Sequence, residues 1–391
     1  MSERKSPATV LAHALLFATS ASLVFSRTTV AQTAVQPAQT ARPQPEQRVE
    51  PRTRRLANGV TVVSATVSGA SAATVLAVPA GSARADGGEA LSQLVARQAT
   101  IERERCERAG LSTAVSRDRA WVEYVTRAPA ASLELALWRE ATRLDALAAS
   151  EPAATRAAHR AAFDPSHAVL VVIAPAEGPA LDALVDRTIG RIPSRATTMP
   201  AIARDRDPPE GWQRSDDGSW SRQWSVVGDR APDHYAVELI SWAMTEGRRA
   251  LLQTHFGARA VRGAVSVDSF VDHELERDRF HLVLRYTNPQ GARPALDALA
   301  DELFARLARE GITGAELGRA RERWRVAWRS GEGSIDRLAL RWARFESRWG
   351  NARLALTEED RYDAVTVQDV LRVIHQQFVR PSRATAPEAA R

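Results

Sequence analysis

The feature that most constrains this chain is an order of strand-like and helix-like segments that occurs twice. In the first half, strand-like runs alternate with amphipathic helical stretches up to the apolar run at 168–174. The second half, after the polar stretch 204–219, has a strand, a helix, two further strands and a series of helices. Sheets and amphipathic helices become stable by burying apolar faces against one another. The order therefore predicts an α+β protein with two related sheet-plus-helix domains.

The first half predicts a strand pair followed by alternating helices and strands. Two β-branched runs at 60–65 and 72–78, separated by Ser68-Gly69-Ala70, predict a hairpin-like pair. Apolar periodicity predicts helices over 89–107 and 133–147, and the alternation at 120–126 predicts a strand. The run at 168–174 is apolar at every position, which is typical of a strand buried on both faces or against a helix layer.

The second half predicts strands at 223–227, 264–267 and 280–286, with a helix over 235–256 between the first two. A later helix is predicted to stop at Gly311. Two capping boxes then mark helix starts, Thr313 with Glu316 and Thr366 with Asp369.

The N-terminal segment has the organisation of a secretory signal peptide. Arg4 and Lys5 give a positively charged start, residues 10–25 are mostly apolar, and Thr29-Val30-Ala31 offers a cleavage site of small residues. The alternative is an uncleaved N-terminal anchor, which would be the chain's only contact with a membrane. The sequence thus predicts an exported protein, periplasmic or secreted.

These patterns divide the chain into six segments. They are a signal peptide at 1–31, a Pro/Gln-rich tether at 32–53, a shortened N-terminal domain at 54–198, a linker at 199–219, a C-terminal domain at 220–385 and a tail at 386–391.

Charge and cysteine content exclude several functions. All but one of the 53 basic residues are arginines, and they alternate with acidic residues along predicted helices, as in 101–105 and 319–323. This mixture is typical of solvated helix faces, whereas nucleic-acid binders carry clustered basic charge, so we expect no nucleic-acid partner. Cys106 is the only cysteine, which excludes a disulfide framework and a thiolate zinc site.

No motif for catalysis or metal binding stands out from the residues alone. The eight histidines form neither HExxH nor HxxEH, and His159 and His167 are too far apart to share a helical turn. His273 is followed by Glu274 but has no second histidine four residues on. The sequence also lacks a GxSxG elbow, a Walker loop and a GxGxxG motif after a strand.

Several segments, in this order, resemble the insulinase/pitrilysin zinc peptidases and the related mitochondrial processing peptidases. In the first half they are Leu56-Ala57-Asn58-Gly59-Val60, the segment 79–84 with Gly81-Ser82, and the strand-pair region 110–125. In the second half they are 310–321 and 364–370. The resemblance implies the fold of that family over most of residues 54–385.

The resemblance also implies a lost active site. In the family, the helix after the Gly-Ser strand carries HxxEH, which binds zinc and activates water. Here the corresponding residues are Leu91, Ser92, Gln93, Leu94 and Val95, with no imidazole and no base. The helix that would carry the third ligand falls in a shortened region, so the resemblance implies a degenerate, non-catalytic member with no metal and no cofactor in this chain.

The family's substrate-backbone residues are altered as well. An arginine and a tyrosine that hold the peptide in zinc-free partner subunits correspond to His255 and to Val261 or Arg262. The resemblance implies a non-catalytic partner subunit or a peptide-binding scaffold, with an HxxEH-bearing paralogue as heterodimer partner and zinc only in that partner. The alternative is an active metallopeptidase with an unrecognised site.

Overall fold

In the computed structural model, the run that is apolar at every position becomes an interior strand of the first sheet. All six residues of β6 (Val169–Ala174) are buried. The strand pairs in parallel with β2 (Thr61–Thr66) and antiparallel with β3 (Ser71–Val78). The predicted hairpin of 60–65 with 72–78 is therefore wrong, because β6 lies between these two strands. A strand without a polar face is most stable where neighbours cover both edges and both faces.

The structure describes residues 49–84, 87–145, 151–202, 211–215, 219–245, 251–252, 255, 264–273, 277–286, 293–330 and 334–379. Three predicted features lie outside this range: the signal peptide at 1–31, the tether up to residue 48 and the tail at 386–391. Val261 and Arg262 also lie outside the described residues.

Within the described residues, the first sheet has six strands in the order β1-β2-β6-β3-β5-β4. The remaining strands are β1 (Arg52–Arg55), β4 (Ser112–Arg117) and β5 (Val122–Pro129). β1 begins inside the segment predicted as a tether. β4 and β5 pair antiparallel, which confirms the strand pair expected in 110–125.

One face of the first sheet is covered by helices from the first half of the chain. They are α1 (Gly88–Arg108), α2 (Leu133–Leu144), α3 (Ala153–Ala162) and α4 (Gly178–Thr188). Leu76 and Leu170 on the strands pack in one cluster with Leu91 of α1, Leu137 of α2 and Leu181 of α4. The helices predicted at 89–107 and 133–147 correspond to α1 and α2.

The opposite face of the same sheet is covered by a helix from the second half. Val75 and Val171, which alternate with the residues of the first face, pack with Trp342 and Phe345 of α8 (Ile335–Trp349). Trp342 is completely buried. Both faces of the first sheet are therefore apolar. Helices of the first half of the chain cover one face, and α8 from the second half covers the other.

Two arginines fix α8 onto the first sheet. The Arg344 guanidinium donates to both carboxylate oxygens of buried Glu123, with nitrogen–oxygen distances of 3.1 and 3.3 Å. One turn later, Arg348 is ion-paired with Asp118. Burial opposes the charge of Arg348, but the carboxylates of Asp118, Glu123 and Asp229 outweigh it and raise the pKa of its guanidinium.

The second sheet, again within the described residues, has the order β7-β8-β10-β9. Its strands are β7 (Trp212–Arg214), β8 (Trp220–Val227), β9 (Ala264–Asp272) and β10 (Arg277–Tyr286). β7 lies inside the segment predicted as a linker. Three aromatic side chains, Trp224, Phe304 and Phe378, have ring centroids 4.7 to 5.9 Å apart in the core next to this sheet.

The remaining helices are α5 (His234–Thr245), α6 (Arg293–Glu310), α7 (Gly314–Arg329), α9 (Glu358–Ala364) and α10 (Val367–Val373). Both predicted capping boxes are present, at the starts of α7 and α10. None of the helices in the described part of the chain has the length and apolar character that a membrane crossing requires.

The two halves share a topology. In the first, β3 leads through α1 to the antiparallel pair β4 and β5, and the strands lie in the order β3-β5-β4. In the second, β8 leads through α5 to β9 and β10, in the order β8-β10-β9. The prediction of an α+β fold with two related sheet-plus-helix units is confirmed.

Asp164 joins the segment before β6 to the segment after α4. Its buried carboxylate accepts hydrogen bonds from backbone N–H groups of Ser166, Arg195 and Thr197 at 3.0 to 3.1 Å, and from the hydroxyl of Ser194 at 3.1 Å. Burial alone would raise the pKa of Asp164. The hydrogen bonds from Thr197 and Ser166 outweigh burial and hold the pKa well below its usual range.

We predict that Asp164→Asn lowers the free energy of unfolding at pH 7 by about 2–4 kcal/mol, because an amide cannot accept from all these donors. A carboxyl group whose pKa is lower in the folded state stabilises the fold above its unfolded pKa, here near 3.8, and loses that contribution as the pH falls further. Urea denaturation at pH 7 and at about pH 3 should show the difference between variant and wild type shrinking. Asp186→Asn, at a largely exposed side chain, is the control; an equal loss there would contradict the prediction.

Candidate functional site

The helix at the predicted site begins after a close backbone approach. The Gly81 N–H lies 3.3 Å from the carbonyl oxygen of Ala120. A Cβ atom at residue 81 would lie 2.3 Å from the backbone of Arg119, so only glycine fits there. This contact sets the path of the chain from β3 into α1.

The five residues predicted to stand in place of the zinc motif lie on α1, and three of them pack against the sheet. Leu91, Leu94 and Val95 are buried against the sheet. Ser92 is also buried, and its carbonyl oxygen accepts a hydrogen bond from Arg117 Nη1 at 3.1 Å. Gln93 is exposed and bonds to Glu89 within the helix at 2.8 Å. The structure thus brings Leu91, Leu94 and Val95 together on the inner side of α1, where their side chains offer no metal ligand.

A small cleft lies beside these residues, with a volume of about 180 Å³. Helices α1, α2 and α3 and strand β5 contribute its walls. The lining comprises Leu91, Leu94, Val95, Gln98, Glu102, Tyr124, Thr142, Arg143, Asp145, His159 and Phe163. Leu91, Leu94 and Val95 therefore border a cleft that has room for only a few non-hydrogen atoms of a ligand.

Two of the residues that line the cleft, Glu102 and Arg143, belong to a network of ion pairs that also includes buried Glu140. Arg143 is ion-paired with Glu140 and also contacts Glu102, with 3.0 Å between Nη2 and Oε2. Glu140 is fully buried, and its other oxygen accepts from Thr74 at 3.0 Å and Thr126 at 2.8 Å. Burial disfavours the charge on Arg143, but the two carboxylates outweigh it and raise the pKa of Arg143. The buried charge of Arg143 is thus balanced by Glu140 and Glu102.

The histidine that borders the cleft is uncharged at neutral pH. The His159 ring stacks on Phe163 with 4.1 Å between centroids. Burial, aided by the nearby charge of Arg195, lowers the pKa of His159 to about 4. His159 does not converge with Glu102 or Asp145 into a ligand set, because the one such group in the described residues lies in the second half of the chain.

The structure places His255 in the second half of the chain, next to α6. Its side chain is buried, and Nε2 lies 3.0 Å from the carbonyl oxygen of Leu299 in α6. His255 therefore packs between elements of the second half. Its expected companions, Val261 and Arg262, lie outside the described residues.

A second cluster of polar residues lies between α5 and the second sheet. It contains His234 at the start of α5, His273 just after β9 and Asp278 in β10. Asp278 Oδ2 lies 3.3 Å from His234 Nδ1 and 3.1 Å from His273 Nδ1. Sequence reasoning missed this cluster because it searched for histidines spaced within one helix. The pairing of β9 with β10, which brings His273 and Asp278 together, could have identified it.

The electrostatics of this cluster are dominated by carboxylates. Burial opposes protonation of His273, but the hydrogen bond to Asp278 and the charges of Glu238 and Asp278 outweigh it and raise its pKa to about 9. Burial alone would raise the pKa of Asp278, and its contacts with both histidines hold it well below its usual range. Asp229 lies close by, and burial raises its pKa. The carboxylates of Asp278 and Glu238 therefore stabilise the protonated form of His273.

Comparison with known proteins gives matches in structure only. No protein-family model matches the chain, and no curated protein sequence matches it. A protease from Helicobacter pylori is similar with a TM-score of 0.69 and 14% identity, over 85% of this chain and 97% of that one. An inactive domain of an M16 peptidase from Pseudomonas fluorescens is similar with a TM-score of 0.62 and 14% identity, over 84% of this chain and 95% of that domain.

A third similar structure is longer than this chain. The periplasmic protease PqqL from Escherichia coli matches with a TM-score of 0.64 and 16% identity, over 96% of this chain but only 50% of the protease. Identities this low establish the fold alone. The chain has the fold of the M16-type peptidases, and the expected fold of the insulinase and processing-peptidase type is confirmed.

We predict that Glu140→Ala lowers the free energy of unfolding by about 3–5 kcal/mol, because it leaves Arg143 buried without its main counter-charge. The double variant Glu140→Leu/Arg143→Met should recover most of this loss, since it removes both charges and keeps the volume. Urea denaturation of the three proteins measures both effects.

Glu134→Ala serves as the control. Glu134 pairs with Arg187 at 3.0 Å, and both side chains are about half exposed, so its loss should leave the unfolding curve unchanged. A single variant Glu140→Ala as stable as wild type would contradict the prediction.

Proposed function

We propose that this chain is an exported, non-catalytic homologue of the insulinase-type peptidases that acts as a partner subunit or a peptide-binding scaffold. The observation that carries this proposal is the apolar inner side of α1. In HxxEH, the two histidines are four residues apart and the glutamate lies between them. Leu91 and Val95 stand in the histidine places and Leu94 in the glutamate place, and all three are buried.

The chemistry of a zinc peptidase requires ligands and a base at these places. A catalytic zinc ion is held by three protein ligands and activates a water molecule in the fourth position. Hydrocarbon side chains supply neither a lone pair nor a proton acceptor. The cleft of about 180 Å³ also lies well below the 300–1,000 Å³ typical of small-molecule sites.

The match to half of a longer protease supports a role in an assembly of two halves. The chain spans 50% of the E. coli periplasmic protease, whose structure thus contains a second portion of similar size. A companion with an intact HxxEH motif would supply that portion together with the zinc. The signal-like residues 1–31 support export to the same compartment.

Three exposed apolar side chains on α1 and α2 are suited to contacts with such a companion. Ile101 of α1 and Leu135 and Trp138 of α2 are exposed by 53%, 43% and 42%. Most other tryptophans contribute to the core, among them Trp212, Trp324 and Trp342. Exposed tryptophan is enriched among residues that dominate binding energy at interfaces.

We predict that the purified chain alone does not cleave peptides, with or without added zinc, because residues 91–95 of α1 provide no ligands or base. The assay follows hydrolysis of denatured casein and of a mixed peptide library, before and after chelator treatment. Cleavage that is lost with the chelator and restored by zinc would contradict the proposal and support an active metallopeptidase.

We further predict a stable complex with an exported HxxEH-bearing paralogue co-expressed from the same cell. Size-exclusion chromatography with light scattering should show a heterodimer, and the paralogue's peptidase rate should change when this chain is present. Trp138→Glu should weaken the complex at least tenfold, since a buried charge at an interface is costly. Val326→Glu, at another exposed apolar side chain, is the matched control.

A chain that stays monomeric and leaves the paralogue's rate unchanged would exclude the partner-subunit role. Peptide binding by the chain alone, measured by fluorescence anisotropy with the same library, would then support the scaffold role. Absence of both would overturn the proposed function.

A further inference from the structure

We propose that His234, His273 and Asp278 bind a divalent transition-metal ion of the zinc type and that this site stabilises the second half of the fold. His234 lies at the start of α5, His273 lies just after β9, and Asp278 lies in β10. One nitrogen or oxygen atom of each lies within 4.8 Å of the others. Nothing in the proposed function depends on this site, which lies in the other half of the chain from α1.

The spacing of the ligand atoms fits a four-coordinate ion. Zinc binds histidine nitrogen and carboxylate oxygen at about 2.0–2.2 Å, so neighbouring ligands around a tetrahedral ion are about 3.3 Å apart. Asp278 Oδ2 lies 3.3 Å from His234 Nδ1 and 3.1 Å from His273 Nδ1. These two distances match the spacing expected between neighbouring ligand atoms of a tetrahedral ion.

One ligand atom is left without a hydrogen bond. The His234 side chain is more than nine-tenths buried, at 8% exposure, and its Nδ1 atom has no hydrogen-bond partner despite its position beside Asp278. A buried polar atom without a partner is costly. An ion placed between Nδ1 and Oδ2 would satisfy the nitrogen lone pair.

A carboxylate also stands where an outer partner of the site is expected. Metal-binding histidines usually donate their second ring N–H to a carboxylate, which fixes the ring and raises its basicity. Glu238 Oε1 lies 3.4 Å from His273 Nε2, on the opposite side of the ring from Asp278, and this buried oxygen has no hydrogen bond. With Nδ1 bound to an ion, Nε2 carries the proton and faces Glu238.

The local charge balance favours a cation as well. The carboxyl groups of Asp229, Glu238 and Asp278 surround the two imidazoles. The arginine that faces them, Arg348, lies 3.7 Å from Asp229 and is shared with Asp118 of the first sheet. Imidazole together with carboxylate selects zinc, cobalt or nickel over calcium and magnesium.

The site is structural in character. Asp278 is fully buried, His234 is nearly so and the His273 side chain is 30% exposed, so the ligand set is largely enclosed by the fold. A metal here would join the first turn of α5 to both strands of the β9-β10 pair. This differs from the expectation of a metal-free chain, which rested on the α1 motif and on histidine spacing along the sequence.

The test uses the full untagged chain after chelator treatment and dialysis. Zinc titration with a competing chromophoric chelator should show one equivalent bound, accompanied by a higher thermal unfolding midpoint. Cobalt should give the visible absorption of a four-coordinate nitrogen–oxygen site. His273→Ala should remove binding, and Glu238→Gln should weaken it by about 10–100-fold.

His375→Ala is the matched control, because His375 is an exposed histidine in the same half. It should bind zinc as the wild type does. Circular dichroism of each metal-free variant establishes that it is folded, and Glu238→Gln decides the question if His273→Ala does not fold. Absence of stoichiometric zinc from the wild type, or undiminished affinity in a folded His273→Ala or in Glu238→Gln, would overturn the proposal. Peptide cleavage is not a readout, so this result is independent of the proposed function.

Discussion

The packing of α8 on the first sheet is the interaction on which the rest of the fold depends. Strands β3 and β6 are buried on both faces, so the sheet is stable only if each face is covered. Helices of the first half cover one face, and Trp342 and Phe345 of α8 fill much of the other. The fork of Arg344 on Glu123 fixes the position of α8, because bidentate pairing allows one geometry.

The shared topology of the two halves carries different chemistry in each. The helix that follows the first strand of the repeated unit is α1 in one half and α5 in the other. α1 buries Leu91 and Val95 in an apolar core, whereas α5 begins with His234 beside the buried carboxylate of Asp278. Corresponding helices of the two units thus belong to a packed apolar layer in one unit and border a polar cluster in the other, as expected where function depends on local residues.

Local patterns in the sequence were sufficient for much of the fold. Capping boxes and the spacing of apolar residues along a helix depend on residues close in the chain. The capping box of Thr313 with Glu316 and the helix predicted over 89–107 are both found in the structure. The position of β6 between β2 and β3 was missed, because pairing between distant strands leaves no local signal. The packing of α8 on the other half was missed for the same reason. At the candidate site, the apolar character of Leu91, Leu94 and Val95 was evident from residue type, whereas the proximity of His234 to Asp278 required the tertiary structure.

The position of α8 also determines when the chain can complete its fold. Residues 335–349 are synthesised long after β3 and β6, so the sheet face that α8 covers stays uncovered while the intervening residues 175–334 are made. Apolar sheet surface exposed in this way favours aggregation at cellular concentrations. That face of the first sheet is therefore open to association with other chains until α8 has been synthesised.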